Sequence, residues 1–364
     1  MFFRKLDNLR GSEVNGPEGL KIGYRPIKNG ASLRGQQKKE GKMKKLQVLC
    51  ITIIGLVFIV GFQTAVFGAE KEIHFAYMPL DQIHNPTRMI LKEKKFLEAE
   101  GLKVKWAEYL AGSYILQHLA AGEVDFGYSG VVPVLITKAA GVDSVILAGS
   151  NQEGSGLLVA NHIKDVKDLN GKSIGTPGIG SIQDAMLDAV AEKYNIKILH
   201  KHMKISDMPI FLQKGEIAGF IGWEPVVSNA VEMGYGKILL TSHDILPNHQ
   251  CCVLIAKGSL LKSDPETVKK VTRAYMKAVD YFKENQAECM DMMIKAGWSK
   301  NVVEMSLKGT THPLSIDIPS LKFLTKDLIR NGKIKEGVVT DIDKYIAGIH
   351  NPEIFNEFIT KRQK

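Results

Sequence analysis

A hexapeptide pattern recurs in this chain: Leu119-Ala120-Ala121-Gly122-Glu123-Val124 is matched 93 residues later by Leu212-Gln213-Lys214-Gly215-Glu216-Ile217, with Leu, Gly and Glu identical, and each leads into a β-rich run. Downstream, Pro133 answers Pro225, Gly141 answers Gly234 and Val145-Ile146-Leu147 answers Ile238-Leu239-Leu240, all within one residue of the same offset. Two unrelated β-α-β units could share Gly-Glu turns by chance. Similarity sustained at one spacing is more simply read as two homologous halves.

The intervening residues have a regular alternation. Ile73–Tyr77 reads as a strand, Pro86–Ala99 as a helix, Lys103–Tyr109 as a strand, Gly112–Ala121 as a helix, Val124–Tyr128 as a strand, Val131–Ala140 as a helix and Val145–Ala148 as a strand. After the strand Leu157–Ala160 the order repeats, with strands at Lys172–Thr176, Ile198–Met203, Gly219–Gly222 and Lys237–Leu240 and helices near Ser181–Tyr194, Met208–Lys214 and Pro225–Met233. Strands separated by single helices predict an α/β protein of two lobes, each a doubly wound, mainly parallel sheet. At 364 residues and 45% hydrophobic the chain can fill two such cores.

A strand at Cys251–Ala256 and a run of helices follow; the first, Asp264–Glu284, is amphipathic, with Ser263 or Asp264 at its N-cap and Pro265 in its first turn. These helices are expected to return to the first lobe. That gives a discontinuous lobe one of residues 70–156 and 252–364 and a lobe two of 157–251, with Leu157–Ala160 and Cys251–Ala256 as the hinge crossings.

The formal charge of +9 would point to nucleic acid or an anionic membrane, but it is concentrated at the N-terminus. Residues 1–69 hold 12 Lys and Arg against 4 Asp and Glu, leaving 36 basic and 35 acidic side chains in the nearly neutral remainder. Met43-Lys44-Lys45, the apolar run Leu46–Phe62 and the small residues around Val66-Phe67-Gly68 have the anatomy of a signal peptide spanning 43–69, with cleavage expected near Gly68 or Ala69. An uncleaved anchor is the alternative, since the run is just long enough to span a bilayer. Residues 1–42 are expected to be a start-site extension, because Lys39-Glu40-Gly41 can be encoded by a purine-rich ribosome-binding sequence at a suitable distance before Met43. Cys50 lacks the small neighbours of a lipoprotein cleavage site. Cys251, Cys252 and Cys289 leave an odd count in the exported part, so no disulfide framework is implied, and Cys251-Cys252 reads as a pair of buried small hydrophobes.

In open α/β sheets ligands bind at the carboxyl ends of strands, where helix N-termini converge. Those ends carry the candidate ligand-binding residues His84, Asn85, Ser129, Gly130, Ser150, Asn151, Thr176, Gly178, Gly180, Ser181, Trp223 and Glu224. In Thr176-Pro177-Gly178-Ile179-Gly180-Ser181 two glycines admit a ligand to backbone N–H groups and Ser181 caps the next helix. The segment fits neither G-x-G-x-x-G nor the Walker pattern. Trp223 offers an aromatic wall and Glu224 a carboxylate. Of the arginines beyond the signal segment only Arg88 is near a strand end, so a bidentate arginine clamp is not the expected device. The histidines show no metal-ligand spacing, no hydrolytic triad order is present, and no metal or cofactor is expected.

Three segments in this order, Leu119–Gly127, Asp168-Leu169-Asn170-Gly171-Lys172-Ser173-Ile174-Gly175 and Trp223-Glu224-Pro225, resemble the nitrate/sulfonate/taurine-type periplasmic binding proteins and the related thiamine-precursor-binding family. The resemblance covers nearly all of residues 72–335. It implies a type II periplasmic binding protein fold, with two lobes hinged by two crossing strands closing over a small solute, sulfonate-like in the favoured case. It implies delivery to an inner-membrane ABC permease with its cytoplasmic ATPase, a periplasmic location, no nucleic-acid partner, a monomer and no enzymatic activity. The alternatives are a same-fold enzyme of pyrimidine or menaquinone precursor metabolism and a module that reports ligand to a membrane sensor.

Overall fold

The computed structural model describes residues 71–350 together with Glu353, Asn356 and Glu357. The expected start-site extension (1–42) and signal segment (43–69) lie outside the described residues. Among the described residues no helix is long and apolar enough to cross a membrane.

In chain order the strands are β1 (Lys71–Tyr77), β2 (Leu102–Glu108), β3 (Phe126–Gly130), β4 (Ser144–Glu153), β5 (Ser155–Val159), β6 (Ser173–Thr176), β7 (Leu199–His202), β8 (Gly219–Trp223), β9 (Lys237–Thr241), β10 (Gln250–Lys257) and β11 (Thr310–Thr311). They form a six-stranded sheet of order β11-β4-β10-β3-β1-β2 and a five-stranded sheet of order β7-β6-β8-β5-β9. β1 pairs in parallel with β2 and β3, whereas β10 runs antiparallel to β3 and β4, so β1 to β4 share one direction. The second sheet repeats the plan: β6 is parallel to β7 and β8, and β5 is antiparallel to β8 and β9. Each sheet is therefore mostly parallel, with an antiparallel strand inserted by the chain's passage between lobes.

β5 and β8 are buried along their whole length, as is β10 up to Lys257, matching their continuous apolar sequences. The helix Pro265–Glu284 is N-capped by Asp264, whose carboxylate accepts from the Thr267 amide, with Pro265 in its first turn. It buries Val268, Val271, Ala274 and Tyr275 in the same apolar cluster as Ile90 and Leu91 of the helix Pro86–Lys94. Burying each aliphatic side chain of this kind contributes about 1.5–3 kcal/mol. That packing ties this helix to the first sheet.

The chain passes between sheets twice, at Gly154 between β4 and β5 and through Ser242–His249 between β9 and β10. Leu157–Ala160 and Cys251–Ala256, the expected crossings, lie in the strands just after these passages. Gly154 is required where it stands: its φ is +83°, and a Cβ there would lie 2.5 Å from His84 Nε2. β4 runs on past Ala148, where the sequence suggested an end, to Glu153, and pairs with the short β11 that the sequence did not announce.

Candidate functional site

A cleft with about 510 Å³ of space, open to solvent, lies where the carboxyl ends of the strands of both sheets converge. Its walls hold the first residues of three helices. Gly112 and Ser113 open the helix Gly112–Ala121, Gly130 precedes the helix Val131–Ala139, and Gly178–Gln183 lead into the helix Ile182–Tyr194. The positive dipole ends of three helices meet there, which suits a ligand's anionic or electron-rich head. Among the described residues no Lys or Arg lines the cleft. Arg88 instead lies over the Tyr77 ring, 4.4 Å from its centroid, and lines a separate cavity with Gln82, Lys92 and Glu108.

Of the twelve residues suggested by the sequence, His84, Gly130, Gly178, Gly180, Ser181 and Trp223 line the cleft. Gly178 and Gly180 have φ of +156° and +75°, and Ser181 Oγ accepts from the Asp184 amide at 3.1 Å, the N-cap its position suggested. Trp223 also bridges the cleft, its Nε1–H donating to the Leu80 carbonyl at 3.0 Å.

The other six stand behind the wall. Asn85 occupies the N-cap position of the helix Pro86–Lys94 but makes no capping bond. Its amide donates to Asp81 Oδ2, and its Oδ1 accepts from Ser150 Oγ at 2.6 Å. Ser129 Oγ donates to the Gly130 carbonyl beneath Gly112, where an added Cβ would come within 2.5 Å of it. Asn151 Oδ1 accepts the Cys252 amide at 3.0 Å. Thr176 is buried, its hydroxyl unpartnered. Glu224 Oε2 accepts from the Ser228 amide and from Ser306 Oγ, each at 3.0 Å, so its carboxylate joins two helices instead of facing a ligand. Burial pushes its carboxyl above the usual range, against the pull of Ser228 and Ser306.

Asp81, which carries no local signal, and Cys251 and Cys252, whose sequence suggested only buried small hydrophobes, line the cleft beside His84. All four are buried. His84 Nε2 is 2.7 Å from the Gly154 carbonyl, an acceptor only, so this nitrogen carries a proton and Nδ1 faces the sulfurs of Cys251 at 3.6 Å and Cys252 at 3.7 Å. Successive strand residues normally point to opposite faces. Here the register of β10 against β4 shifts on both sides of Cys252, and the two sulfurs approach to 3.9 Å. The bond from Cys252 and, against burial, the charge of His84 hold the Cys251 thiol well below its ordinary range, while Cys252 is pushed up. Burial raises Asp81 to about 7 against the opposing pull of His84.

A second cluster lies on the second sheet's flank. Asp184 Oδ1 is 2.7 Å from His200 Nδ1 and 3.1 Å from His202 Nε2, and Lys333 Nζ is 3.2 Å from Oδ2. Burial alone would raise Asp184; the histidine hydrogen bonds and Lys333 outweigh it and hold its carboxyl below the usual range. The His200-x-His202 pair thus converges on one carboxylate already held by a lysine.

Two mostly parallel sheets, two passages between them and a cleft at their strand ends define the two-lobed type II periplasmic binding protein fold. The chain belongs to the NMT1-like family, which it matches over residues 68–295. A Bacillus subtilis protein named for binding aliphatic sulfonates is 28% identical over 282 residues, covering 74% of this chain and 83% of that protein. Among solved structures, the ligand-binding component of an ABC-type import system from Staphylococcus aureus, with zinc bound, superposes with a TM-score of 0.68 at 20% identity, covering 79% of this chain and 98% of that one. The periplasmic aliphatic sulphonate binding protein of Escherichia coli gives 0.63 at 20% identity, covering 77% and 91%.

Proposed function

We propose that the chain is the exported solute-binding subunit of an ABC importer, which captures a small solute with an oxyanionic head, sulfonate-like in the favoured case, between two closing lobes. Lobe one carries the first sheet and the C-terminal helices, and lobe two the second sheet. The observation that carries this reading is the convergence of three helix N-termini, from both sides, on one cleft that no Lys or Arg lines among the described residues. The aliphatic-sulfonate relatives favour an anionic head held by neutral donors. A solute touching both walls stabilises the closed arrangement by its extra contacts, and no covalent step is needed. Export to the periplasm, cleavage near Gly68 or Ala69 and delivery to a permease as a monomer complete the reading.

Thermal unfolding of the full chain tests it against alkanesulfonates, taurine, nitrate, bicarbonate and pyrimidines. A solute at 100 times its Kd adds about 2.7 kcal/mol, so one class should raise Tm in a concentration-dependent way; no response from any class would count against the reading. The pairing of a thiol with an imidazole, Cys251 with His84 at 3.6 Å, favours a same-fold enzyme as the second reading. Chemical conversion of a solute that binds would decide for it.

A further inference from the structure

The corner of the cleft formed by His84, Cys251 and Cys252 has a geometry that solute capture by helix N-termini does not use. We infer that these three side chains are the ligands of a zinc-class divalent cation, held in the cleft wall of lobe one with a coordination position toward the cleft.

Edge lengths support this. A tetrahedral ion with metal–sulfur bonds of about 2.3 Å and a metal–nitrogen bond of about 2.0–2.1 Å requires sulfur–sulfur and nitrogen–sulfur separations of about 3.8 and 3.6 Å. The observed edges are 3.9 Å between the sulfurs and 3.6 and 3.7 Å from His84 Nδ1 to each. Three donor atoms are thus arranged as one face of such a tetrahedron.

The ring is also set for ligation. Its Nε2–H is fixed on the Gly154 carbonyl, which leaves Nδ1 aimed between the sulfurs, where a cation would take the place of a proton, as at metal-binding histidines whose other nitrogen is anchored.

Two neighbouring buried atoms lack hydrogen-bond partners. Asp81 Oδ1 has none and lies 3.8 Å from His84 Nδ1. His249 Nε2 has none, while its Nδ1–H donates to the Leu246 carbonyl at 2.7 Å. An unsatisfied buried carboxylate oxygen is costly unless a charge or donor faces it, and a cation at this corner supplies that charge. Two thiolates and an imidazole, softer donors than carboxylates or carbonyls, favour zinc over magnesium or calcium. The β-bulge that defeats strand alternation brings both sulfurs to one side. By contrast, Lys333 already neutralises the Asp184–His200–His202 group, which carries no such inference.

The inference does not depend on which organic solute the cleft accepts, and its test is separate from the solute screen. Full chain, reduced and freed of metal by chelator, is titrated with Zn²⁺, and in parallel with Co²⁺ as a spectroscopic substitute. The expected result is one ion per chain, a sulfur-to-cobalt charge-transfer band, and Zn²⁺ protection of Cys251 and Cys252, but not Cys289, from alkylation as mapped by mass spectrometry. Cys251→Ser and Cys252→Ser should each weaken Zn²⁺ binding roughly 100-fold, while Cys289→Ser leaves it unchanged. Should the serine variants fail to fold, alkylation mapping and the cobalt spectrum of the unmodified chain decide. A reduced, folded chain showing neither the charge-transfer band nor protection, or Zn²⁺ affinity retained in the folded Cys251→Ser/Cys252→Ser double variant, overturns the inference.

Discussion

The indole of Trp223, at the end of β8 in the second sheet, donates its Nε1–H to the carbonyl of Leu80, in the segment leaving β1 of the first sheet, at 3.0 Å. A bond made across the cleft exists only while the two walls are close, so it stabilises the closed arrangement and whatever solute it encloses. Trp223→Phe keeps most of the apolar surface and removes the donor. A net hydrogen bond contributes about 0.5–1.5 kcal/mol, so solute affinity by titration calorimetry should fall about 2- to 12-fold, with little change in unfolding of the solute-free chain.

Gly180 meets the opposite wall directly. It has a φ of +75°, and a Cβ there would lie 2.8 Å from Ile136 Cδ1 on the helix Val131–Ala139. Gly180→Ala should therefore combine backbone strain of about 1 kcal/mol with steric resistance to closure. Calorimetry should show at least a 10-fold loss of solute affinity. Gly171→Ala has a similar φ of +74° and no atom within 4 Å of the new Cβ, so it should show the strain without the binding loss.

Asp184 links acid sensitivity to the fold. Its carboxyl is held below the usual range, so its contribution to stability is present above the unfolded-state value of about 3.9 and is lost as pH falls from there toward the lower folded value. Asp184→Asn should cost about 1.5–3 kcal/mol at pH 7 in urea unfolding. Its deficit against the unmodified chain should shrink below about pH 4.

Glu224 predicts a structural effect where the sequence suggested a binding one. Ser306→Ala removes one of the two partners holding a buried carboxylate, and should cost about 1–3 kcal/mol of stability while leaving solute affinity within about twofold.

The architecture was legible because two periodicities, helical and strand, alternate through long segments, and because the Gly-Glu turns recur at one spacing. The helix Gly112–Ala121 and the strand end at Thr176 fall where the letters put them. The site was legible only in part. Position at a strand's end says that a residue is near the cleft, not which way it faces: Trp223 lines the cleft and its neighbour Glu224 points behind it, as alternation along an extended chain dictates. Asn85 has the residue type and position of a cap, yet Asp81 and Ser150, four residues before it and sixty-five after, compete for its amide. Cys251 and Cys252 looked like apolar filler, because neither the β10 bulge nor the distant His84 leaves a mark in the local sequence.

The central claim, capture of a solute between two lobes, is tested most directly by titrating the best-stabilising solute into the full chain and into its Trp223→Ala and Ser181→Ala variants, with small-angle scattering of each at saturation. The account predicts 1:1 binding, a smaller radius of gyration when bound, and loss of both effects in the two variants, which still fold. Affinity unchanged by both substitutions, or a solute recovered chemically altered, would contradict it.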